Sequence, residues 1–376
     1  MLTKADDFPL HQTPEPMAFA GTDRNFYDRF FFNGYAPDGS VFFAAALGVY
    51  PQLNIMDAAY CLSIDGRQYN LRASKEMNGD RLDLAVGPIR VEIADPFART
   101  RLVIEDNEHG LSGVLEAQAR HQPIEEPRFT RRQGTRLFMD YTRATQNIVW
   151  CGEIKLNGLV INIEACQGTR DRSWGLRPVG AQDPQAAVPP MPPQFYWLWT
   201  PVNLPQACFF AHSNDDGAGA PWNRRAVFDD LQSGSRSEID RFTINTQYSP
   251  DTRRIDTVSM ELAVPGGTAQ IAMRATGPVF YMQGLGYTHP EWGHGFHHGA
   301  LRVDFDVTEL AEAETALANG GMHYLHIQAL AEISLSGALG AATGIGVMEQ
   351  LFIGPHAPSG FVDLLDGIVA RADGSA

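Results

Sequence analysis

The sequence has few cysteines and lacks any long apolar run. Its four cysteines include no CxxC pair and no zinc-like spacing, so they form no recognisable metal-binding pattern. A membrane-spanning helix needs about 18 consecutive apolar residues, and no stretch approaches that length. The N-terminal MLTKADDFPLHQTPEP lacks the apolar core of a signal peptide. We therefore expect a cytoplasmic protein, in which a disulfide between Cys151 and Cys166 is conceivable but not indicated.

Basic residues are also few compared with acidic residues. The chain carries 29 basic against 44 acidic residues, a formal net charge of −15. Such a balance disfavours nucleic acid and anionic membranes as partners, because both repel an acidic surface. The excess charge mainly supports solubility.

Sequence motifs for common catalytic machinery are missing as well. There is no GxSxG, no HExxH and no Rossmann fingerprint after a strand, which weakens serine-hydrolase and nicotinamide-enzyme interpretations. The glycine-rich GALGAATGIG at 337–346 lacks GK[ST], so a hairpin of small residues is favoured over a phosphate loop. Glu349 alternates with apolar neighbours and is equally compatible with a cavity and with solvent. We predict neither a cofactor nor a bound metal.

What the sequence does contain is β-strand patterning over most of its length. Asp65-Gly66 and Asn157-Gly158 each separate two alternating segments, as in type I′ hairpins. Many short strands with tight turns predict antiparallel barrels or sandwiches. FFAAALGVY and YWLWTPV are apolar on both strand faces, which would suit a barrel interior large enough to hold a ligand.

The length predicts two domains, since 376 residues exceed the size at which one core usually keeps growing. AQDPQAAVPPMPP at 181–193 has the composition of a linker. We predict an extended arm over 1–22 and two β domains over 23–185 and 186–376. Helices are predicted only at 307–319 and 361–372.

The segment GTRDRSWGLRP at 168–178 is the first candidate site. If it stays extended, Asp171 points to one face while Arg170 and Arg172 point to the other. Arginines nearby would lower the pKa of Asp171 and hold it ionised, which makes it a poor proton donor unless burial separates it from them. Trp174 offers a π face that can stabilise a cation. A structural aspartate–arginine pair tying the domains together is an equally weighted alternative.

The loop GLGYTHPEWGHGFHHG at 284–299 is the second candidate. Histidine titrates near neutral pH and commonly binds metals, so a dense cluster predicts either acid–base chemistry or ligand contact. The spacing matches no specific metal motif, and a locally satisfied surface loop stays an alternative. The acid–base and aromatic residues of the loop are Tyr287, His289, Glu291, Trp292, His294, His297 and His298.

GTRDRSWGLRP with the hairpin before it resembles the Gly-x-x-x-Asp-x-x-Trp-Gly segment of the carotenoid hydratase (hydroxyneurosporene synthase) and AttH-like group. GYTHPEWGHG and GVMEQLFIGPHAPSGF resemble a two-part bacterial branch of that superfamily. The resemblance implies an all-β fold of two consecutive antiparallel lipocalin-like (calycin) β-barrels with few short helices. It also implies cofactor-free chemistry on a hydrophobic molecule, and it nominates Asp171 and Trp174.

The sequence departs from the hydratases beside the aspartate. They commonly have Tyr-His before it and His-Asn after it, whereas this chain has Thr169-Arg170 and Arg172-Ser173. These differences put proton donation by Asp171, and the hydration reaction itself, in question. A histidine of the 289–298 loop could supply the missing acid.

The resulting hypothesis is a cofactor-independent lyase or hydratase acting on a terpenoid, polyene, steroid or aromatic small molecule. A non-catalytic carrier of an apolar ligand is the main alternative, metal-dependent hydrolysis a third, and a homo-oligomer stays open. The predicted catalytic residues are Asp171, His289, Glu291, His294 and His298. The predicted substrate-binding residues are Trp174, Arg177, Tyr281, Tyr287 and Trp292.

Overall fold

Strands make up most of the chain in the computed structural model, which describes residues 14–367 except 15, 20, 184, 186, 187 and 191. The strands of the first half are β1 Phe26–Tyr35, β2 Phe42–Tyr50, β3 Ile55–Ile64, β4 Arg67–Glu76, β5 Ala85–Val86, β6 Ile89–Asp95, β7 Arg99–Ile104, β8 Leu111–Ala119, β9 Ile124–Glu125, β10 Phe129–Gln133, β11 Arg136–Leu156 and β12 Leu159–Leu176.

The second half contains ten strands and one α-helix within the described residues. They are β13 Phe195–Asn203, β14 Ala207–Asp215, β15 Pro221–Asp230, β16 Ser235–Glu238, β17 Phe242–Tyr248, β18 Ile255–Val264, β19 Gly267–Tyr281, β20 Leu301–Glu309, α1 Leu310–Ala318, β21 Ile327–Gly337 and β22 Ala342–Ile353.

These strands form two antiparallel sheets, each wrapped around its own apolar core. The first follows the order β20-β4-β3-β2-β1-β12-β11-β8-β7-β6-β5, with β9 and β10 paired to β11. The second follows β16-β15-β14-β13-β22-β21-β19-β18-β17. Phe43 and Trp150 lie in the first core, Phe209 and Met260 in the second. The predicted all-β fold of two consecutive antiparallel barrels is confirmed.

The two barrels pack outer face against outer face. Phe31 of β1 meets Trp199 of β13 with ring centroids 6.4 Å apart, and a third apolar cluster joins residues of both sheets. We call this buried layer the seam. It lies between β1, β2, β11 and β12 of the first sheet and β13, β14, β21 and β22 of the second. FFAAALGVY and YWLWTPV are therefore apolar on both faces because one face lines a packed core and the other lines the seam. They do not indicate a wide barrel interior.

The second half also contributes one strand to the first sheet. The chain leaves β19, makes a 3-10 turn at Met282–Leu285, crosses the first barrel and pairs β20 with β4 from Leu301↔Lys75 to Glu309↔Arg67. The domain boundaries 23–185 and 186–376 stay a prediction. The sheets do not follow them strictly, because β20 lies in the second half of the chain but pairs in the first sheet. This crossing positions the histidine loop on the first barrel.

Two local predictions need correction. The helix predicted at 307–319 begins only at Leu310, because β20 continues to Glu309. The helix predicted over 361–372 is absent from 361–367, where Phe361 bridges back to His356, and the rest lies outside the described residues. Most of the predicted 1–22 arm lies outside them too.

All four cysteines are free thiols, and Cys151 is exposed. The described helices include none with the length and apolarity to cross a bilayer.

Candidate functional site

Strand β12 carries the GTRDRSWGL part of the first motif and pairs with both β1 and β11. Asp171 lies opposite Phe31 on one side and Thr145 on the other, so its side chain faces the seam. Arg170 and Arg172 point to the other face, where they lie over Phe32 and Phe30 at 5.8 and 3.9 Å from the ring centroids. The predicted alternation is therefore seen in the structure.

Burial decides the ionisation of Asp171. Only 13% of its side chain is exposed, no described residue hydrogen-bonds its carboxylate, and the nearest cation is Arg143 at 3.9 Å. Desolvation raises the pKa of Asp171 to about 7, Arg143 opposes this, and the charges of Glu126 and Glu349 reinforce it. Arg170 and Arg172 face away from this carboxyl, so the structure corresponds to the alternative in which burial separates Asp171 from its sequence neighbours.

Glu126 and Arg143 form a buried ion pair beside Asp171. Arg143 Nε donates to Glu126 Oε2 at 2.9 Å, and its guanidinium lies 4.3 Å from the Trp197 ring. Glu126 Oε1 also accepts the Thr145 hydroxyl at 2.5 Å. Because Arg143 is committed to Glu126, it neutralises Asp171 only partly.

On the second barrel, Glu349 faces the seam and orients His326. Glu349 accepts hydrogen bonds from Trp197 Nε1 at 2.9 Å, Gln328 Nε2 at 2.6 Å and His326 Nε2 at 2.8 Å. Burial alone would raise the pKa of Glu349, but these donors lower it. His326 Nδ1 is buried with no hydrogen-bond partner in the described chain. A histidine whose Nε2 proton is held by a carboxylate presents Nδ1 as a base.

The two predicted regions meet at Arg177. Its guanidinium donates to His294 Nδ1 at 2.9 Å and lies 4.5 Å from the Tyr27 ring centroid. His294 Nε2 lies 3.1 Å from the Leu285 carbonyl and so donates to it. Burial, then the charges of Arg29 and Arg177, keep the pKa of His294 well below its usual range. Both ring nitrogens are engaged, so His294 positions Arg177 and does not supply the acid.

A second buried ion pair anchors the histidine loop to the first barrel. Arg29 donates to Tyr50 at 3.1 Å and to the Leu285 carbonyl at 3.2 Å, and lies 3.7 Å from Asp57. Asp57 accepts the Gly295 backbone N–H at 2.8 Å. These bonds fix the loop that carries Tyr287, whose ring contacts both His294 and His326.

The other predicted loop residues lie away from this cluster. His289 Nδ1 accepts the backbone N–H groups of Glu291 and Trp292, and its pKa is lowered to about 4 by burial and by the charge of Arg72. His298 stacks on Trp292 with ring centroids 4.0 Å apart, and Glu291 is exposed. These four residues form a local loop structure and are not brought to Asp171.

Two predicted aromatic residues are also separated from Asp171. Trp174 lies on the Arg172 face of β12 and is 38% exposed. Tyr281 points under α1, where its hydroxyl accepts from Arg254 at 3.3 Å. The prediction that both line one cavity with the aspartate is corrected, because successive strand residues point to opposite faces.

Sequence reasoning missed most of the seam. The sequence pattern does not point to Glu126, Arg143 or His326, and it is compatible with either a cavity or solvent at Glu349. The strand HIQAL offered a usable signal, since His326 and Gln328 alternate with apolar residues on a strand that is otherwise core-like. No group of three or more metal-ligating side chains with suitable geometry occurs among the described residues.

The fold and this cluster define a class: a double antiparallel β-barrel protein with buried acid–base groups at the seam. The chain belongs to the family of unknown function DUF8625, whose profile matches residues 2–362. No match was found among curated proteins.

Solved structures share the architecture at low sequence identity. The AttH-type protein of Nitrosomonas europaea is 14% identical with a TM-score of 0.51, over 92% of this chain and 98% of the other. Kievitone hydratase from Nectria haematococca is 12% identical with a TM-score of 0.44, over 86% and 88% of the two chains. The Nitrosomonas structure shows that this chain shares the fold which the resemblance to the AttH-like group implied.

Proposed function

We propose that the protein is a cofactor-independent lyase of the hydro-lyase type, acting on an apolar small molecule at the seam. One observation carries the proposal. Asp171 is a buried carboxyl without a hydrogen-bond partner in the described residues, and its pKa is raised to about 7 by burial. Such a group exchanges a proton at neutral pH, as a general acid–base catalyst requires.

The proposed reaction adds water across a carbon–carbon double bond. Protonated Asp171 donates its proton to one alkene carbon, and the cation that forms is stabilised by the negative charge of Glu349 and by the surrounding ring faces. Water attacks the other carbon and gives a proton to His326 Nδ1. Proton exchange with solvent then restores both residues, so atoms and charge balance.

Each neighbouring group has a distinct role in this scheme. Glu349 orients His326 through the 2.8 Å contact with Nε2, in the manner of the carboxylate in a catalytic triad. Tyr287 lies between His294 and His326, and its ring contacts hold His326 in position. Arg177 and His294 are positioning residues, because their hydrogen bonds fix the loop and neither side chain transfers a proton in this scheme.

A carrier for an apolar ligand is the second candidate. The buried ion pairs Glu126–Arg143 and Arg29–Asp57 favour this function, since they have a structural role at the seam that requires no catalysis. Carriers need only apolar walls and a few polar anchors. The two functions differ in whether product forms.

Incubation with a panel of polyene, terpenoid, steroid and aromatic alkenes in isotopically labelled water separates the two functions. We expect mass spectrometry to show a product heavier by one labelled water for at least one compound, and no product with Asp171→Asn. Saturable quenching of tryptophan fluorescence by a panel compound without product would favour the carrier. Equal turnover by the wild type and Asp171→Asn would contradict a role for this carboxyl.

A further inference from the structure

The second sheet leaves a gap between its two ends, where β15, the neighbour of the terminal strand β16, faces the other terminal strand β17. β15 and β17 are not paired in the sheet; the Arg224 guanidinium crosses the gap and donates to the Phe242 carbonyl at 2.6 Å. A cavity of about 360 Å³ lies here. Phe242 and Ile244 form part of its apolar wall.

One wall of this cavity carries a serine, a histidine and an aspartate in contact. Ser359 Oγ lies 2.7 Å from His356 Nδ1, and His356 Nε2 lies 3.4 Å from Asp215 Oδ2. The two ring nitrogens thus face the two partners of a serine–histidine–aspartate arrangement. His356 Nε2 is buried and makes no hydrogen bond in the described chain, so the Asp215 carboxylate at 3.4 Å acts on the ring through its charge.

The local structure holds these three residues in place. Asp215 ends β14, His356 precedes a 3-10 turn at Ala357–Ser359, and Ser359 is the last residue of that turn. Gly219 allows the two segments to touch, because a Cβ there would lie 2.2 Å from Pro358. The His356 ring stacks on Tyr196 with centroids 3.9 Å apart, which fixes its orientation.

The cavity wall also holds a donor for a developing negative charge. Arg224 Nε is buried without a hydrogen-bond partner among the described residues, although Arg224 lines the cavity. The Tyr248 hydroxyl lies 2.5 Å from Ser359 Oγ. Arg224 Nε, an unpaired buried donor of a residue that lines the cavity, is the kind of group that a tetrahedral oxyanion would use.

We propose that Ser359, His356 and Asp215 form a second catalytic site, which hydrolyses esters of small acyl groups. Ser359 Oγ attacks the carbonyl carbon and passes its proton to His356 Nδ1, while Asp215 stabilises the imidazolium. The C–O bond to the leaving alcohol breaks as His356 returns the proton to that oxygen. Water then attacks the acyl-serine, releases the carboxylic acid and restores Ser359.

The absence of GxSxG does not conflict with this site. That motif belongs to a strand–turn–helix elbow, whereas the triad recurs on unrelated folds and is recognised by geometry. Here the serine follows the histidine by three residues in HAPS. The site goes beyond the proposed seam chemistry and shares no residue with it.

A fluorophosphonate probe and para-nitrophenyl butyrate test the proposal on the full chain. We expect one probe adduct per chain, mapped to Ser359, and ester hydrolysis that Ser359→Ala abolishes. His356→Gln should slow labelling by about 100-fold or more, since the base that activates the serine is lost. Asp215→Asn should slow it by about 10-fold or more.

Matched controls separate this site from background reactivity. Ser233→Ala removes an exposed serine that belongs to neither site, and it should label at the wild-type rate. Ser359→Cys retains a nucleophile, so its introduced thiol should react with iodoacetamide faster than exposed Cys151. Failure to label the folded wild type, an adduct on Tyr248, or equal labelling of Ser359→Ala would overturn the proposal. Circular dichroism confirms that each variant is folded.

Discussion

Charged side chains on the two faces of β12 differ in whether they have close partners. On the barrel side, Arg172 pairs with Asp28 and Arg170 donates to Thr100. On the seam side, Asp171 has only a 3.9 Å contact to an arginine already committed to Glu126. Paired charges keep one ionisation state, whereas an underpaired buried carboxyl moves towards neutrality. Residues adjacent in sequence therefore have different chemical environments, because successive side chains of a strand point to opposite faces of the sheet.

The largest expected effect of breaking this asymmetry is on turnover. Asp171→Asn should lower the hydration rate by about 10²–10⁴-fold, because it removes the acid–base group from the seam face. Trp174→Phe on the other face should leave the rate within about threefold of wild type. Labelled-water incorporation measures both. Similar losses in the two variants would contradict the distinction between the faces.

The second effect concerns stability and pH. The folded-state pKa of Asp171 is raised from 3.8 to about 7, so the folded chain binds the extra proton and loses stability as pH rises through that range. Asp171→Asn should therefore be more stable than wild type by about 2–4 kcal/mol at a pH of about 8. The difference should vanish near a pH of about 3. Urea unfolding across this range checks the sign.

A third variant tests the carboxylate on the opposite side of the seam. Glu349→Gln replaces an acceptor of three hydrogen bonds by an amide that must turn an NH₂ towards one of the donors. We expect a loss of about 1–3 kcal/mol in the free energy of unfolding. Thermal and urea denaturation measure it, with Glu332→Gln on the exposed part of β21 as the control. An unchanged midpoint would mean that these donors contribute little.

The smallest effect should come from the paired face. Arg172→Met removes the Asp28 ion pair and the contact with Phe30 but retains an apolar stem. We expect a cost of about 1 kcal/mol and no change in turnover, since the pair is partly exposed. Urea unfolding in low and high salt measures the ionic part. A loss of turnover comparable with that of Asp171→Asn would show that the faces are coupled.

The sequence alone determined the all-β class, the hairpins at Asp65-Gly66 and Asn157-Gly158, and the alternation that places Asp171 opposite Arg170 and Arg172. These features depend on local backbone geometry and on a period of two. The tertiary structure decided the surroundings of Asp171, the burial of Glu349 and the separation of His289 from His294. Those outcomes depend on contacts between strands that are more than a hundred residues apart, such as Trp197 with Glu349. Desolvation, which sets the proton affinity at the seam, exists only once the two barrels have packed together.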